Sequence, residues 1–166
     1  MALVRIDGIS FTYAGAKKSA LINASLEINE GEYVLLTGAS GCGKTTLIRQ
    51  IKPELTPAGA REGSITYDGV AIASLNTRRA AAEIGFVQQN PDNQIVTDYV
   101  WHELAFGLEC MGLSVGVIRR RVAEMAAFFG MESWFRNKTY ALSGGQKQLL
   151  NLAGALAMDP RLLILD

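Results

Sequence analysis

Apolar and polar residues alternate along the first part of the chain, then run together, then recur at helical spacing, and each regime predicts its own elements. Residues 3–6 (Leu-Val-Arg-Ile) and 9–13 (Ile-Ser-Phe-Thr-Tyr) predict two strands framing a turn at Asp7 and Gly8. Residues 20–28 alternate again until Asn29, Glu30 and Gly31 stop the pattern. Residues 32–37 (Glu-Tyr-Val-Leu-Leu-Thr) are nearly continuously apolar, the pattern of a strand buried on both faces of a parallel sheet. A glycine-rich turn follows, then a helix expected over 44–52 and ended by Pro53. Residues 63–67 and 84–89 predict two more strands.

From about Asp98 the period is helical. Val115, Ile118, Val122, Met125 and Phe129 recur three and four apart, with Ser114 as N-cap, Gly130 as C-cap, and Arg119, Arg120 and Glu124 on the opposite face. A last helix is expected from about Gly144 to Met158, stopped by Asp159 and Pro160. Residues 162–165 then predict a second buried strand, ending at Asp166. Neither an internal repeat nor a low-complexity linker interrupts the chain.

Composition narrows the class. The 166 residues suit one domain with a real core, and 49% apolar against 19% charged residues is a globular balance. Sixteen basic residues offset sixteen acidic ones, so no electrostatic case exists for nucleic acid or an anionic membrane as the main partner, and no nucleic-acid partner is expected. The basic clusters at Arg78 and Arg79 and at Arg119, Arg120 and Arg121 are explained equally well as solvated helix faces. Two cysteines, Cys42 and Cys110, are too few for a disulfide framework and suggest a reducing cytosol. Asp7 falls where a signal peptide would be apolar, and no apolar run approaches the ~20 residues of a membrane span. A role at a membrane would be that of a soluble partner.

The strongest chemical signal is Gly38-Ala39-Ser40-Gly41-Cys42-Gly43-Lys44-Thr45, which fits G-x-x-x-x-G-K-[ST] between a predicted strand and a predicted helix. Glycines allow positive φ, so successive N–H groups can turn inward on phosphate oxygens, and the following helix aims its N-terminal dipole at the same anion. Lys44 is expected to reach the β- and γ-phosphates, the Thr45 hydroxyl to ligate Mg²⁺, and Thr46 to add a hydroxyl to the α-phosphate. Cys42 is expected to be a small filler whose thiol takes no part. A second signal is Leu142-Ser143-Gly144-Gly145-Gln146 at the start of the last helix. Ser143 and Gln146 make a capping box, yet two glycines in a first helical turn cost roughly 1 kcal/mol each relative to alanine. Capping does not need them; close approach of backbone to an anion does.

These motifs, in the order phosphate loop, Leu142-Ser143-Gly144-Gly145-Gln146, and the apolar strand ending in Asp166, resemble the ATPase domain of ABC transporters over the whole chain. The resemblance implies an α/β fold of the P-loop NTPase type, with an N-terminal antiparallel β-subdomain, a parallel core sheet and an inserted helical subdomain. The core with its β-subdomain would occupy about 1–97 and 140–166, and the helical subdomain about 98–139. It implies ATP and Mg²⁺ as cofactors, and a head-to-tail dimer with a second ABC ATPase domain, identical or different. There the signature residues Ser143, Gly144, Gly145 and Gln146 would meet the γ-phosphate held by the other domain. Tyr13 matches the aromatic residue that stacks on adenine. Gln89 matches the glutamine that contacts Mg²⁺ and the attacking water and links the site to the membrane partner; its neighbour Gln88 is set aside only on the alignment of residues 84–87. Asp166 matches the acid that orients the Mg²⁺ shell.

Residues 89–95 (Gln-Asn-Pro-Asp-Asn-Gln-Ile), with 103–107 (Glu-Leu-Ala-Phe-Gly) after them, are similar to energy-coupling-factor importers of vitamins or transition-metal ions. That likeness implies a transmembrane transporter subunit as partner and a place on the cytoplasmic face of the membrane. Leu149 departs from the basic residue usual after the signature. The family's water-polarising glutamate and switch histidine would follow Asp166, where this sequence stops, so it is expected to be a truncated piece that binds ATP and hydrolyses it very slowly. It is also expected to leave apolar surface on residues 162–165 exposed. His102 is not that switch and is expected at a surface or in helix packing. The alternatives to an importer subunit are a soluble ABC ATPase without a transporter and a nucleotide-binding module without hydrolysis. Nothing in the sequence encodes a transported substrate.

Overall fold

The computed structural model describes residues 2–166. The chain divides into two compact units, Met1–Ala80 and Ala81–Asp166. In the first, β1 (Ala2–Tyr13) pairs antiparallel with β2 (Leu21–Asn29) on one side and β3 (Gly59–Tyr67) on the other, and β4 (Val70–Ala71) closes the edge. Asp68 and Gly69, both at positive φ, make the tight β3–β4 turn.

The strand β1 replaces two predicted ones. Its buried residues change phase, from Val4 and Ile6 to Ile9 and Phe11, which in an unbroken strand would put the two pairs on opposite faces. The residues expected to turn instead form a bulge: pairing with both neighbours slips between Ile6 and Ile9 and between Asp7 and Ser10, and Gly8 has φ 59°. One extra residue there lets both pairs join the core. Gly63, opposite, has φ 86°, and a Cβ on it would lie 2.6 Å from the carbonyl oxygens of Asp7 and Gly8. Only glycine fits against the bulge.

The helix α1 (Lys44–Arg49) is shorter than expected, and Lys52 is already extended before Pro53. Burial pushes the Lys52 ammonium below its ordinary pKa, while it donates to the carbonyl of Ala80 at 2.9 Å. The largest departure is at residues 32–37. They form no strand, and Tyr33 is 91% and Leu35 72% exposed. A strand buried on both faces needs neighbours to take its N–H and C=O groups and layers to cover it; among the described residues no strand pairs with this one.

The helix α2 (Thr77–Glu83) leads into the second unit. There β5 (Ile84–Val87) and β6 (Leu162–Leu165) pair in parallel, in register from Ile84 with Leu162 to Val87 with Leu165. This pair is the parallel sheet among the described residues. On β6 only Ile164 is buried and Leu165 is exposed, so the strand expected to be buried falls short of one covered on both faces. The helices α3 (Val100–Cys110), α4 (Val115–Phe128) and α5 (Gly144–Ala157) pack around a core that includes Leu104, Leu108, Val122, Met131, Leu150 and Ala153. Ser114 occupies the N-cap position of α4, but its hydroxyl makes no capping bond. Gly130, at φ 64°, ends α4 as expected: its N–H bonds to Ala127 O, and the N–H of Met131 bonds to Ala126 O, a Schellman motif. Among the described residues, no helix is long and apolar enough to cross a membrane.

Candidate functional site

The phosphate-loop residues lie in the first unit. Gly38, Gly41 and Gly43 have φ of 147°, 80° and 98°, a conformation that residues with a Cβ rarely adopt. Gly43 is the N-cap of α1 in the left-handed region, and a Cβ on it would lie 2.7 Å from the carbonyl oxygen of Ala20. Its glycine is therefore set twice, by φ and by contact. Ala39, Ser40, Gly41 and Cys42 are exposed, and Thr45 is half-buried at the start of α1. The Lys44 ammonium donates to the carbonyls of Gly38 (2.8 Å) and Ala39 (2.9 Å) and lies 3.7 Å from Cys42 Sγ. The cation is thus carried on the loop's own rim. In the turn before residues 32–37, the Asn29 backbone N–H and then its side-chain amide hold the Glu32 carboxyl below the usual carboxylate range.

Tyr13, at the end of β1, packs edge-on to Phe11 with ring centroids 5.0 Å apart, and its hydroxyl hydrogen-bonds to Thr46 Oγ1 at 2.8 Å. Thr46 is buried, at 6% exposure, whereas the Tyr13 ring keeps a solvent-facing part. One contact therefore ties the aromatic residue singled out for adenine to the hydroxyl singled out for the α-phosphate.

The remaining candidates lie in the second unit. Ser143 caps α5 in a full capping box, accepting from the Gln146 N–H at 3.3 Å while its own N–H donates to Gln146 Oε1 at 2.9 Å. Gly144 and Gly145 are exposed, and a Cβ on either would meet nothing within 4 Å. Gln89 and Asp166 follow the ends of the adjacent strands β5 and β6, and the Asp166 N–H donates to Val87 O at 2.9 Å. The Gln88 N–H donates to Gln94 Oε1, and Gln94 Nε2 donates back to Phe86 O, while Gln89 projects into solvent. His102 is partly exposed, stacked on Trp101 and 3.5 Å from Glu109, a surface position.

The residues present fit a magnesium polyphosphate. An ammonium, hydroxyls and exposed positive-φ backbone on one loop suit phosphate oxygens, and the hydroxyl of Thr45 is a hard donor. Among the described residues, no group of three or more His, Cys, Asp or Glu could hold a metal unaided. The sequence reading missed Gln148 and Asn151, which with Gln94 organise the chain after β5. A polar residue at 151, inside the apolar run from Leu149 to Ala157, was the available signal.

The sequence profile described as ABC transporter matches residues 21–166. The chain belongs to the ABC transporter family. It is 46% identical over its full length to a protein of Bacillus cereus (strain ATCC 10987 / NRS 248) whose name places it among ABC transporter ATP-binding proteins, and covers 30% of that protein. It is 38% identical to the cobalt import ATP-binding protein CbiO of Syntrophus aciditrophicus (strain SB), covering 99% of this chain and 58% of that one. Among solved structures, CbiO1 from Clostridium perfringens, part of the ABC transporter complex CbiONQ, matches 99% of the chain and 65% of its own, at 31% identity and a TM-score of 0.82. The ATP-binding cassette MJ0796, a dimer in a post-hydrolysis state with ADP and Pi, matches 98% of the chain and 73% of its own, at 29% identity and a TM-score of 0.85. The ABC chain spans less than two thirds of the length of either named relative.

Proposed function

We propose that the chain is the ATP-binding part of a subunit that binds and hydrolyses Mg-ATP to drive a membrane importer, of the energy-coupling-factor kind for a metal ion or vitamin. The backbone from Gly38 to Gly43 and the Lys44 ammonium hold the phosphates. Thr45 ligates Mg²⁺, Thr46 meets the α-phosphate, and Tyr13 stacks on adenine. Gln89 and Asp166 order the Mg²⁺ shell and the attacking water. Ser143, Gly144, Gly145 and Gln146 act on nucleotide held by a second such domain, and the helical subdomain is residues 98–139. When bound, Mg²⁺ supplies charge neutralisation on the transferring phosphoryl group; the protein supplies position and fixed dipoles.

The observation that carries this reading is the pair of open glycines at the head of α5. Nothing among the described residues would meet a side chain there, which supports a partner approaching the backbone from outside. The relative named for cobalt import and the one named an energy-coupling factor transporter ATP-binding protein support the importer side, as does the likeness of residues 89–95 to energy-coupling-factor ATPases.

The test is co-purification of the full-length protein from its own membranes. A transmembrane subunit should copurify with it, crosslink to a photoreactive group at Asn93, and stay bound in detergent. A protein that fractionates wholly with the cytosol and crosslinks to no membrane protein would contradict the importer reading and favour a non-transport ABC ATPase.

A further inference from the structure

The second turn of α5 carries polar side chains that its packing does not explain. Leu150 and Ala153 on this helix are fully buried, and Asn151 lies between them at 3% exposure. Its Nδ2 donates to the carbonyl of Pro91 at 3.1 Å. Gln148 Nε2 donates to the carbonyls of Gln89 (3.3 Å) and Gln88 (3.4 Å). Lys147 Nζ reaches Asp92 Oδ1 at 2.6 Å. Three neighbouring side chains of one helix therefore grip one short segment, residues 88–92, at four of its five residues.

That segment leaves β5 with carbonyls that no strand takes up, and buried backbone acceptors need partners. Gln94 closes it from the other side through Gln88 and Phe86, and the Asn90 side chain accepts from the Asp92 N–H inside it. Stability alone does not account for the amides on α5. The oxygens Gln148 Oε1 and Asn151 Oδ1 are buried and meet no hydrogen-bond partner. A leucine at 151 would avoid that desolvation. What leucine could not do is hold the carbonyl of Pro91.

We propose that Gln148 and Asn151, with the half-buried Lys147 as a latch on exposed Asp92, are positioning residues that set the conformation of the Gln89 loop from the helix whose first turn is the signature. The grip is on backbone carbonyls, so the Gln89 side chain stays free while its main chain is fixed. A shift of α5 is passed directly to Gln89, without going through the sheet. This rests on the proposed role of Gln89 in the Mg-ATP site.

The experiment compares the full-length protein with its Asn151→Leu and Gln148→Leu variants. Hydrogen exchange without nucleotide should quicken at residues 88–94 by about tenfold, the loss of one hydrogen bond, with β5 and α3 unchanged. With Mg-ATP, kcat should fall by about tenfold while KM stays within about twofold. A reversed pair, Lys147→Glu with Asp92→Lys, should exchange more slowly at 88–94 than Lys147→Glu alone. Exchange that is unchanged, or raised equally everywhere, overturns the proposal, and so does loosening of the segment with kcat unaltered. Absence of ATP binding by the unsubstituted protein would instead overturn the proposed function, and the nucleotide-free exchange would still decide whether α5 sets the loop.

Discussion

The phosphate loop and the signature are both rich in glycine, but the structure gives the two sets of glycines opposite causes. In the loop, Gly43 is fixed by a φ of 98° and by a backbone carbonyl where its Cβ would be. In the signature, Gly144 and Gly145 sit in ordinary helical backbone with open space beyond. The first set is imposed from within the chain, by the fold that makes the loop. The second has no cause among the described residues, which is why the proposed function assigns it to a ligand held by a second domain. A glycine's conformation and its missing neighbours thus separate an internal necessity from an external one.

Substitutions can break this comparison. Gly43→Ala should cost the most, roughly 3 kcal/mol of stability, from left-handed strain of about 1–2 kcal/mol plus the displaced Ala20 carbonyl; a urea midpoint reads it. Ser143→Ala should cost about 1 kcal/mol in the same assay, because it removes the cap and leaves the Gln146 N–H unpaired. Gly145→Ala should cost nothing and raise stability by a few tenths to about 1 kcal/mol, since alanine restricts the unfolded chain and fits the helix. The same variant should lose ATP turnover in the full-length protein. A Gly145→Ala protein that is destabilised, or that turns over normally, would erase the contrast. Thiol alkylation sharpens it further: both cysteines are exposed, and Mg-ATP should slow labelling of Cys42, inside the loop, but not of Cys110.

What was legible in the sequence follows the same division between local and distant causes. The capping box at Ser143 and Gln146, the helix end at Gly130 and the strands at residues 84–87 and 162–165 have local signatures, and the structure has all of them; the parallel pairing of those two strands does not, since it joins distant positions. The bulge at Asp7 and Gly8 was expected as a turn because an Asp-Gly pair and a reversal of hydrophobic phase mark both. Only pairing with two neighbouring strands distinguishes them. Residues 32–37 have the composition of a buried strand, but burial is a property of neighbours, and the local pattern does not contain them. For the candidate site, the loop and the signature stood out as motifs. The grip of α5 on residues 88–92 did not, because it joins positions about sixty residues apart.

The account turns on Lys44 and its loop, and calorimetric titration of Mg-ATP tests them most directly. The unsubstituted protein and Gly145→Ala should both bind saturably, while Lys44→Ala should bind roughly 10–150-fold more weakly, the equivalent of about 1.5–3 kcal/mol for hydrogen bonds from a charged donor. Equal affinity in Lys44→Ala would contradict the assignment of residues 38–46 as the phosphate site.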